Sequence, residues 1–219
     1  MPTKSFLSAE ELHQGVPPNW YYQSLRVDPL QKIWHLRRFK EVGKLVERAD
    51  KILDIGCADG MFSKVILDKA KAKKLIGLDV LKTSVAWANK HWKHTGKMEF
   101  LVGDANDLKK FESGSFDAVF ALEVLEHVHR PLEALTEIKR VLKKGGYGVF
   151  LVPSDSLLFK VIWFFWLHFY PRGWVWRDTH IQTYRNNYLP KVCKKVGFLI
   201  EQDKKFNLGM LHVVKVRKY

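Results

Sequence analysis

The stretch Lys51-Ile-Leu-Asp-Ile-Gly-Cys-Ala-Asp-Gly-Met61 decides the fold of this 219-residue chain. An apolar strand pattern runs into a turn with glycine at positions 56 and 60, and a helical pattern follows. Glycine tolerates the left-handed backbone of a tight turn, and it lets a ligand approach the main chain closely. A second apolar strand ends in Asp79, 23 residues beyond Gly56, near the spacing at which a carboxylate accepts hydrogen bonds from ribose hydroxyls. The two strands therefore predict a site for a cofactor that carries a nucleoside.

The acids of the turn indicate which cofactor fits. A nicotinamide dinucleotide needs a G-x-G-x-x-G turn that places its pyrophosphate at a helix N-terminus, and here Ala58 stands at the middle glycine. Asp54 and Asp59 would repel a pyrophosphate, whereas they would attract an ammonium group. S-adenosylmethionine carries an ammonium and a sulfonium group and no phosphate, so we predict this cofactor. A nicotinamide-dependent oxidoreductase is a rival interpretation, which binding of a nicotinamide cofactor would reveal.

Strand and helix patterns alternate from Lys51 onward, which is typical of parallel strands joined by right-handed crossovers. We predict an α/β fold with a doubly wound, mostly parallel, seven-stranded sheet, helices on both faces and a C-terminal antiparallel strand. Five strands are expected at 52–55, 75–78, 99–102, 118–121 and 147–152, and the final pair at 198–206 and 211–217. Residues 1–49 are expected to form a helical extension, a lid or cap with a helix over Pro29–Arg48, and residues 50–219 the main domain.

The chain resembles class I S-adenosylmethionine-dependent methyltransferases over roughly residues 50 to 153. Five segments carry the resemblance in the family's order, namely Ile52–Gly60, Leu75–Val80, Phe100–Ala105, Phe116–Val128 and Leu142–Pro153. It implies that Asp104 meets the adenine amino group and that the backbone amide of Ala105 contacts the ring. Ala58 departs from the pattern, because the family more often has glycine there. The predicted cofactor-binding residues are Asp54, Gly56, Cys57, Gly60, Asp79, Val80, Asp104, Ala105 and Ala121.

An aromatic insert, residues 156–180, follows the fifth strand and is the other unusual feature. Only Lys160 and His168 interrupt the fourteen residues Leu157–Tyr170, and this run is shorter than the roughly 20 residues that a bilayer-spanning helix needs. A lid that lines a pocket for an apolar substrate would explain the insert. An interfacial helix, with tryptophans at headgroup depth, would also explain it, as would an ordinary buried helix.

Three histidines are candidates for a general base, which methyl transfer to a hydroxyl or acidic carbon would use. His180 follows the insert and is the preferred candidate for base or substrate contact. His127 and His129 are weaker candidates, since the resemblance implies a structural role for His127. Possible substrate contacts, for which simple packing is the alternative, are Tyr22, Trp163, Trp166 and Tyr184. Arg37 or Arg38 could pair with the cofactor carboxylate, or remain a solvated charge.

The net charge and the cysteine content limit which partners and metals the chain could bind. The net charge is +14, and residues 156–219 hold 12 Lys and Arg against 3 Asp and Glu. A one-sided positive field attracts nucleic acid or an anionic lipid surface, although a solubilising surface explains it equally well. Cys57 and Cys193 form neither a disulfide framework nor a metal site, so no metal is expected.

The acceptor class follows from the insert together with the basic C-terminal third. We predict methyl transfer to a small hydrophobic or lipid-like acceptor. A nucleic-acid methyltransferase is an alternative, weakened because residues 121–124 lack the Asn/Asp-Pro-Pro-aromatic loop that base-amine enzymes share. A cofactor-binding interaction protein without activity is the other alternative. No signal peptide is visible, so the predicted location is cytoplasmic, with possible contact at the inner, anionic membrane face. The oligomeric state is left open.

Overall fold

A computed structural model describes residues 9–13, 15–154, 156–170, 173, 182, 184 and 186–219. The strands are β1 (Lys51–Ile55), β2 (Lys74–Asp79), β3 (Met98–Val102), β4 (Phe116–Leu122), β5 (Leu142–Pro153), β6 (Leu199–Phe206) and β7 (Leu211–Arg217). The helices are α1 (Ala9–His13), α2 (Trp20–Val27), α3 (Pro29–Gly43), α4 (Met61–Ala70), α5 (Lys82–Trp92), α6 (Pro131–Val141), α7 (Leu157–Phe169) and α8 (Tyr188–Lys195).

The seven strands form one sheet in the order β3-β2-β1-β4-β5-β7-β6. Strands β1 to β5 pair in parallel, and β7 is antiparallel to both of its neighbours. The predicted fold class is therefore confirmed. The chain order reverses between β1 and β4, and in such sheets ligands bind beyond the carboxyl ends of the strands at this reversal.

Helices cover both faces of the sheet. On one face, buried side chains of α6 and α8 pack against β1, β4 and β5 in a cluster that includes Ile138 and Val192. On the other face, α3 and α4 contribute Val42 and Ile66 to a second cluster with Phe120. Burial of both faces explains why the central strands read as nearly continuous apolar runs.

The N-terminal helices belong to this packing. Helix α3 begins after Asp28, whose carboxylate accepts a hydrogen bond from the backbone N–H of Gln31 as an N-cap. The helix ends at Gly43, five residues before the predicted end at Arg48. Leu45 and Ala49, in the following segment, are buried in the same cluster as Val42. The predicted boundary at residue 49 is thus crossed by shared core packing.

Helix α7 is the aromatic insert, and it leaves most of its apolar surface outside the core. Phe159 is its only buried residue, whereas Leu157 is 79% exposed and Phe169 is 71% exposed. An ordinary buried helix is therefore the wrong interpretation of this segment. Of the helices that the structure describes, none combines the length and the apolar character that crossing a bilayer requires.

Candidate functional site

A cavity of about 390 Å³ opens beyond the carboxyl ends of the strands, where the chain order reverses. Its floor consists of the strand exits, with Gly56 after β1, Asp79 at the end of β2 and Glu123 after β4. Helices α2, α3 and α7 supply its walls through Trp20, Arg38 and Trp163, among others. The volume lies in the range of small-molecule and cofactor sites.

The glycine turn has the left-handed backbone that the sequence predicts. Gly56 and Gly60 have φ angles of 69° and 75°. A Cβ on Gly60 would lie 2.6 Å from a ring atom of Phe100 and 2.7 Å from Nε1 of Trp92, so this glycine permits packing of the turn against β3 and α5. Gly56 lines the cavity. Ala58 also has a positive φ, of 45°, which explains why glycine suits this position better.

Replacing Ala58 by glycine is expected to raise the free energy of unfolding by about 1 kcal/mol, because it removes the strain of a left-handed alanine. Ala86, which is exposed in the middle of α5, provides the matched control. There the same substitution should lower the free energy of unfolding by about 1 kcal/mol, because glycine disfavours helix interiors. Urea denaturation measures both. Equal destabilisation by the two changes would show that the Ala58 backbone is unstrained.

Asp79 is fixed at the end of β2 by two backbone donors. Its carboxylate accepts hydrogen bonds from the N–H of Ala58 at 2.8 Å and of Leu81 at 2.9 Å. Burial raises its pKa, and these two hydrogen bonds oppose the rise. The side chain lines the cavity beside Val80. A carboxylate so held can accept hydrogen bonds from the hydroxyls of a ribose without reorienting.

The other two acids of the turn are engaged by the protein. Asp54 is buried and accepts a hydrogen bond from Oγ of Ser63 at 2.5 Å, and burial raises its pKa to about 7. Asp59 accepts hydrogen bonds from the N–H of Tyr22 at 2.8 Å and of Met61 at 3.2 Å. It therefore caps the start of α2 from within the turn. Among the described residues that line the cavity, neither acid is present.

The remaining predicted cofactor residues divide into two groups. Asp104 and Ala105 line the cavity, and Asp104 is oriented by hydrogen bonds from the backbone and side chain of Asn106. Cys57 and Ala121 are buried and lie outside the described lining. Burial raises the pKa of the Cys57 thiol well above its usual value, so this cysteine has the properties of a small apolar residue.

A buried ion pair, which the sequence did not predict, lies in the cavity wall. Nη1 of Arg38 is 2.8 Å from Oε2 of Glu123, and the arginine side chain is only 3% exposed. Its Nε and Nη2 have no hydrogen-bond partner among the described residues. Glu123 has a φ of 58°, an unusual backbone that places its carboxylate next to this guanidinium. Arg37, the other candidate, is exposed and is not part of the described lining.

Two histidines of the cavity lining, His35 and His127, make defined contacts. His35 accepts from Nη1 of Arg38 through Nδ1 at 3.3 Å, which leaves its Nε2 as the donor to Oε1 of Gln31 at 3.0 Å. This arrangement suits a neutral ring. His127 lines the cavity, and its ring lies edge-on to His13 at 4.5 Å. His129 is exposed outside the described lining, and His180 falls outside the described residues.

The far end of the cavity is aromatic. Phe159 and Trp163 of α7 stack at 5.4 Å, and Trp166 stacks on Tyr170 at 4.2 Å. Trp34 of α3, which sequence reasoning did not single out, faces the same space as Trp163 and Trp166. The only feature of the sequence that pointed to Trp34 was its place in the helical pattern of apolar residues in α3.

The other two predicted substrate residues lie elsewhere. Tyr22 contacts the rings of Trp87 and His91 on α5, and Arg26 lies 4.3 Å over its ring. Tyr184 is a core residue whose hydroxyl donates to the carbonyl of Leu125. Neither belongs to the described lining of the cavity. In the described ranges no three His, Cys, Asp or Glu side chains are grouped as a metal ion would require.

The lining of the cavity thus combines polar groups at the strand exits with an aromatic wall. Gly56, Asp79 and Asp104 lie at or just after strand ends, and Arg38 with Glu123 adds a buried ion pair to the lining. A cofactor with an adenosine group, a cationic centre and an amino-acid group matches this sequence of environments.

Comparison with known proteins gives the same picture. A family model described as "Methyltransferase domain" matches residues 53–150. A ubiquinone biosynthesis O-methyltransferase from Dechloromonas aromatica is 31% identical over 159 residues, which cover 70% of this chain and 65% of that protein. The protein of the same name from Pseudomonas syringae pv. tomato is 30% identical over 169 residues, which cover 73% and 70%. The chain spans only 59% of a third such relative, from Thiobacillus denitrificans.

A solved structure shares the fold over its whole length. The N-methyltransferase NodS from Bradyrhizobium japonicum, in complex with S-adenosyl-L-homocysteine, superposes with a TM-score of 0.69 over 99% of both chains. The sequence identity is 15%, so the likeness concerns the fold alone.

Proposed function

This chain belongs to the class I S-adenosylmethionine-dependent methyltransferases, and on that premise we propose that it methylates a small hydrophobic or lipid-like acceptor. One observation carries the proposal. A single cavity extends from Asp79, where a ribose would bind, to the aromatic wall that Phe159, Trp163 and Trp166 of α7 provide. An apolar acceptor would lie against this wall with its reacting atom toward the cofactor.

The cofactor would lie along the strand exits. Asp79 would accept hydrogen bonds from the ribose, and Asp104 and Ala105 would face the adenine. Arg38 would bind the carboxylate of the amino-acid end, because its Nε and Nη2 are buried donors without a partner among the described residues. Such donors are costly to leave unpaired, and a carboxylate satisfies both at once. When bound, the cofactor supplies a methyl group on a positively charged sulfur.

Methyl transfer is an in-line displacement. The acceptor atom would form a bond to the methyl carbon, and the electron pair of the broken carbon–sulfur bond would stay on the sulfur of the cofactor. Alignment of the two reactants can supply most of the catalytic effect. An oxygen acceptor is favoured by the names of the relatives, and its proton would pass to a base. Of the three predicted candidates, His127 lines the cavity, and the preferred one, His180, lies outside the described residues.

The N-terminal helices would act as the cap of the site. Trp20 and Tyr21 of α2 line the cavity, and the carboxylate of Asp59 in the cofactor turn accepts from the N–H of Tyr22. The cap is therefore attached directly to the turn that it covers.

A nucleic-acid substrate gains little support from the charge distribution. In the C-terminal hairpin, Arg217 pairs with Glu47 and Glu201, and Lys215 and Lys204 pair with Glu47 and Glu41. These pairs neutralise much of the positive charge that the sequence places in β6 and β7. The basic C-terminal third is consequently a weaker attractant for a polyanion than its composition indicates.

The proposed location is the cytoplasm, with peripheral contact at the inner membrane face through α7. The outward residues of this helix are large and apolar, among them Phe164, Phe165 and Phe169. Lys160 is its only ionised side chain, apart from any charge on His168. An exposed apolar and aromatic helix surface of this kind fits the boundary between headgroups and acyl chains.

For the membrane contact, Phe165→Glu is expected to lower binding to vesicles of phosphatidylcholine and phosphatidylglycerol at least tenfold. A charge at this half-exposed position would have to enter the acyl boundary, while the cavity wall stays intact, because Phe165 is not part of the described lining. Co-sedimentation measures the effect. Failure of the wild-type protein to sediment with the vesicles would disprove the contact.

The activity itself is tested with radiolabelled S-adenosylmethionine and the lipid, small-molecule and RNA fractions of the source cell. Label should appear in the lipid or apolar small-molecule fraction. Label in RNA alone would favour the alternative substrate class, and the absence of heat on titration with millimolar cofactor would remove the enzyme hypothesis.

A further inference from the structure

Helix α3 has an outward apolar stripe in addition to its buried face. Leu30 is 67% exposed, Ile33 is 55% exposed, and Leu36 continues the stripe toward the C-terminal end. The core-facing residues of the same helix, such as Phe39 and Val42, are buried. A surface helix in a soluble domain normally presents polar residues on its outer face, so this stripe needs a partner.

The stripe adjoins the exposed face of α7 at the mouth of the cavity. Leu30 of α3 and Ile162 of α7 both line the cavity and are both substantially exposed, so they mark its rim. The hydroxyl of Tyr170, just after α7, donates to Oδ2 of Asp28, just before α3, at 2.8 Å. This hydrogen bond holds the end of α7 beside the start of α3. The mouth therefore lies between two apolar helix surfaces.

The exposed charges on these two helices are positive in excess. Lys32, Arg37 and Lys40 are exposed on α3, and Lys160 is exposed on α7. Helix α7 contains no acid, Asp28 before α3 is buried, and Glu41 near the end of α3 is paired with Lys44 and Lys204. Apolar residues flanked by an excess of exposed lysine and arginine match the interface of a bilayer that contains anionic lipid.

We infer that α3 and α7 together form one bilayer-docking face that surrounds the cavity mouth. The inference rests on the proposed function, since it gives the lipid-like acceptor its route. An amphiphilic acceptor would pass between the bilayer and the aromatic wall past Leu30 and Ile162, without its apolar part crossing water. Helix α3 then has two functions, because its inner side carries Arg38 and its outer side contacts lipid.

The first test measures partition onto vesicles of equimolar phosphatidylcholine and phosphatidylglycerol by co-sedimentation. Ile33→Glu should lower the partition coefficient at least tenfold, as Phe165→Glu does. Leu199→Glu is the matched control, because Leu199 is exposed at the end of β6 remote from the β6–β7 turn, whose Met210 lines the cavity. It should change partition less than twofold. Binding of S-adenosylhomocysteine, measured in all three variants, should be unchanged and so reports an intact cavity.

The second test asks which way the mouth faces. Acyl chains brominated near the headgroup quench tryptophan fluorescence only at close range, so Trp34→Phe should reduce the fraction of the emission that such vesicles quench. Trp87→Phe is the control, because Trp87 stacks on His91 of α5, away from the described lining. An unchanged quenched fraction in Trp34→Phe would place the mouth toward water and overturn the inference.

The outcomes separate the inference from the proposed function. If Phe165→Glu weakens vesicle binding and Ile33→Glu does not, α7 alone contacts the membrane and the two-helix face is wrong. If Ile33→Glu instead converts a dimer into a monomer in sedimentation velocity, with vesicle binding intact, the stripe is an interface between copies of this chain. If the wild-type protein binds S-adenosylhomocysteine but no vesicles, both membrane proposals fail while the methyltransferase assignment stands.

Discussion

Replacement of Arg38 by methionine is expected to lower the free energy of unfolding by about 3–5 kcal/mol, the range observed when one partner of a buried ion pair is removed. The substitution leaves the carboxylate of Glu123 in the cavity wall without its cation. Burial raises the pKa of Glu123 and Arg38 opposes this rise, so removal of Arg38 should raise the pKa of this carboxyl further. Chemical denaturation measures the loss.

The double variant Arg38→Met/Glu123→Gln is the control for this experiment. It removes both charges, so much of the lost stability should return, while the donors proposed for the cofactor carboxylate stay absent. Two ligands then separate the roles. S-adenosylhomocysteine has the amino-acid group and should bind the double variant at least tenfold more weakly than the wild type. Methylthioadenosine lacks that group and should bind both proteins equally.

Equal losses for the two ligands would show that Arg38 supports the cavity as a whole and does not contact the amino-acid end. Unchanged affinity for both would place the carboxylate elsewhere. Neither result would affect the proposed contact between Asp79 and the ribose.

Replacement of Asp79 by alanine is expected to weaken binding of S-adenosylmethionine by about 1–3 kcal/mol, the scale of hydrogen bonds to a charged group. The ribose would lose its acceptor at the end of β2, and the N–H groups of Ala58 and Leu81 would lose the carboxylate that now orients the turn. Isothermal titration measures the change. Asp68→Ala on the exposed side of α4 serves as control, because its carboxylate bonds only to Lys64 in the described structure, and it should bind normally.

One result would contradict this prediction. If Asp79→Ala retains wild-type affinity while the control folds normally, the ribose does not lie at the tip of β2. The cofactor would then have to enter the cavity in another orientation.

The strand exits were predictable from sequence because local chemistry determines them. Apolar runs buried on both sides, a glycine turn and an acid at the end of the second strand constrain one another within thirty residues of chain. The positions of Gly56 and Asp79 follow from that constraint, whereas Asp104 was expected from the family resemblance. The positive φ of Ala58 also agrees with its place at a family glycine.

Long-range partners were not predictable in the same way. The sequence shows the acid Asp59 in the turn, but not that the N–H of Tyr22 would lie 2.8 Å from it. Similarly, Tyr22 and Tyr184 read as aromatic candidates for a pocket, and their rings point into other contacts. Residue type and spacing define a face of an element, whereas tertiary packing decides what that face meets.

Helix α3 illustrates the limit most directly. Its apolar residues predict a helix with a wide buried face, and half of that expectation holds, since Phe39 and Val42 are buried. Leu30 and Ile33 face outward instead. A periodic pattern cannot distinguish one broad buried face from a helix with apolar surface on two sides, because both give apolar residues at the same frequency.

The hydrogen bond between the carboxylate of Asp59 and the N–H of Tyr22 has a practical consequence for any shortened form of this protein. A chain begun at residue 50 would retain every strand, yet it would expose an ionised side chain in the middle of the nucleoside-binding bend. It would also remove Val42 and Leu45 from the hydrophobic cluster that packs against β1 and β4. Crystallographers and enzymologists who wish to trim the amino terminus should therefore cut ahead of Trp20, so that α2 and the bend it contacts are kept together.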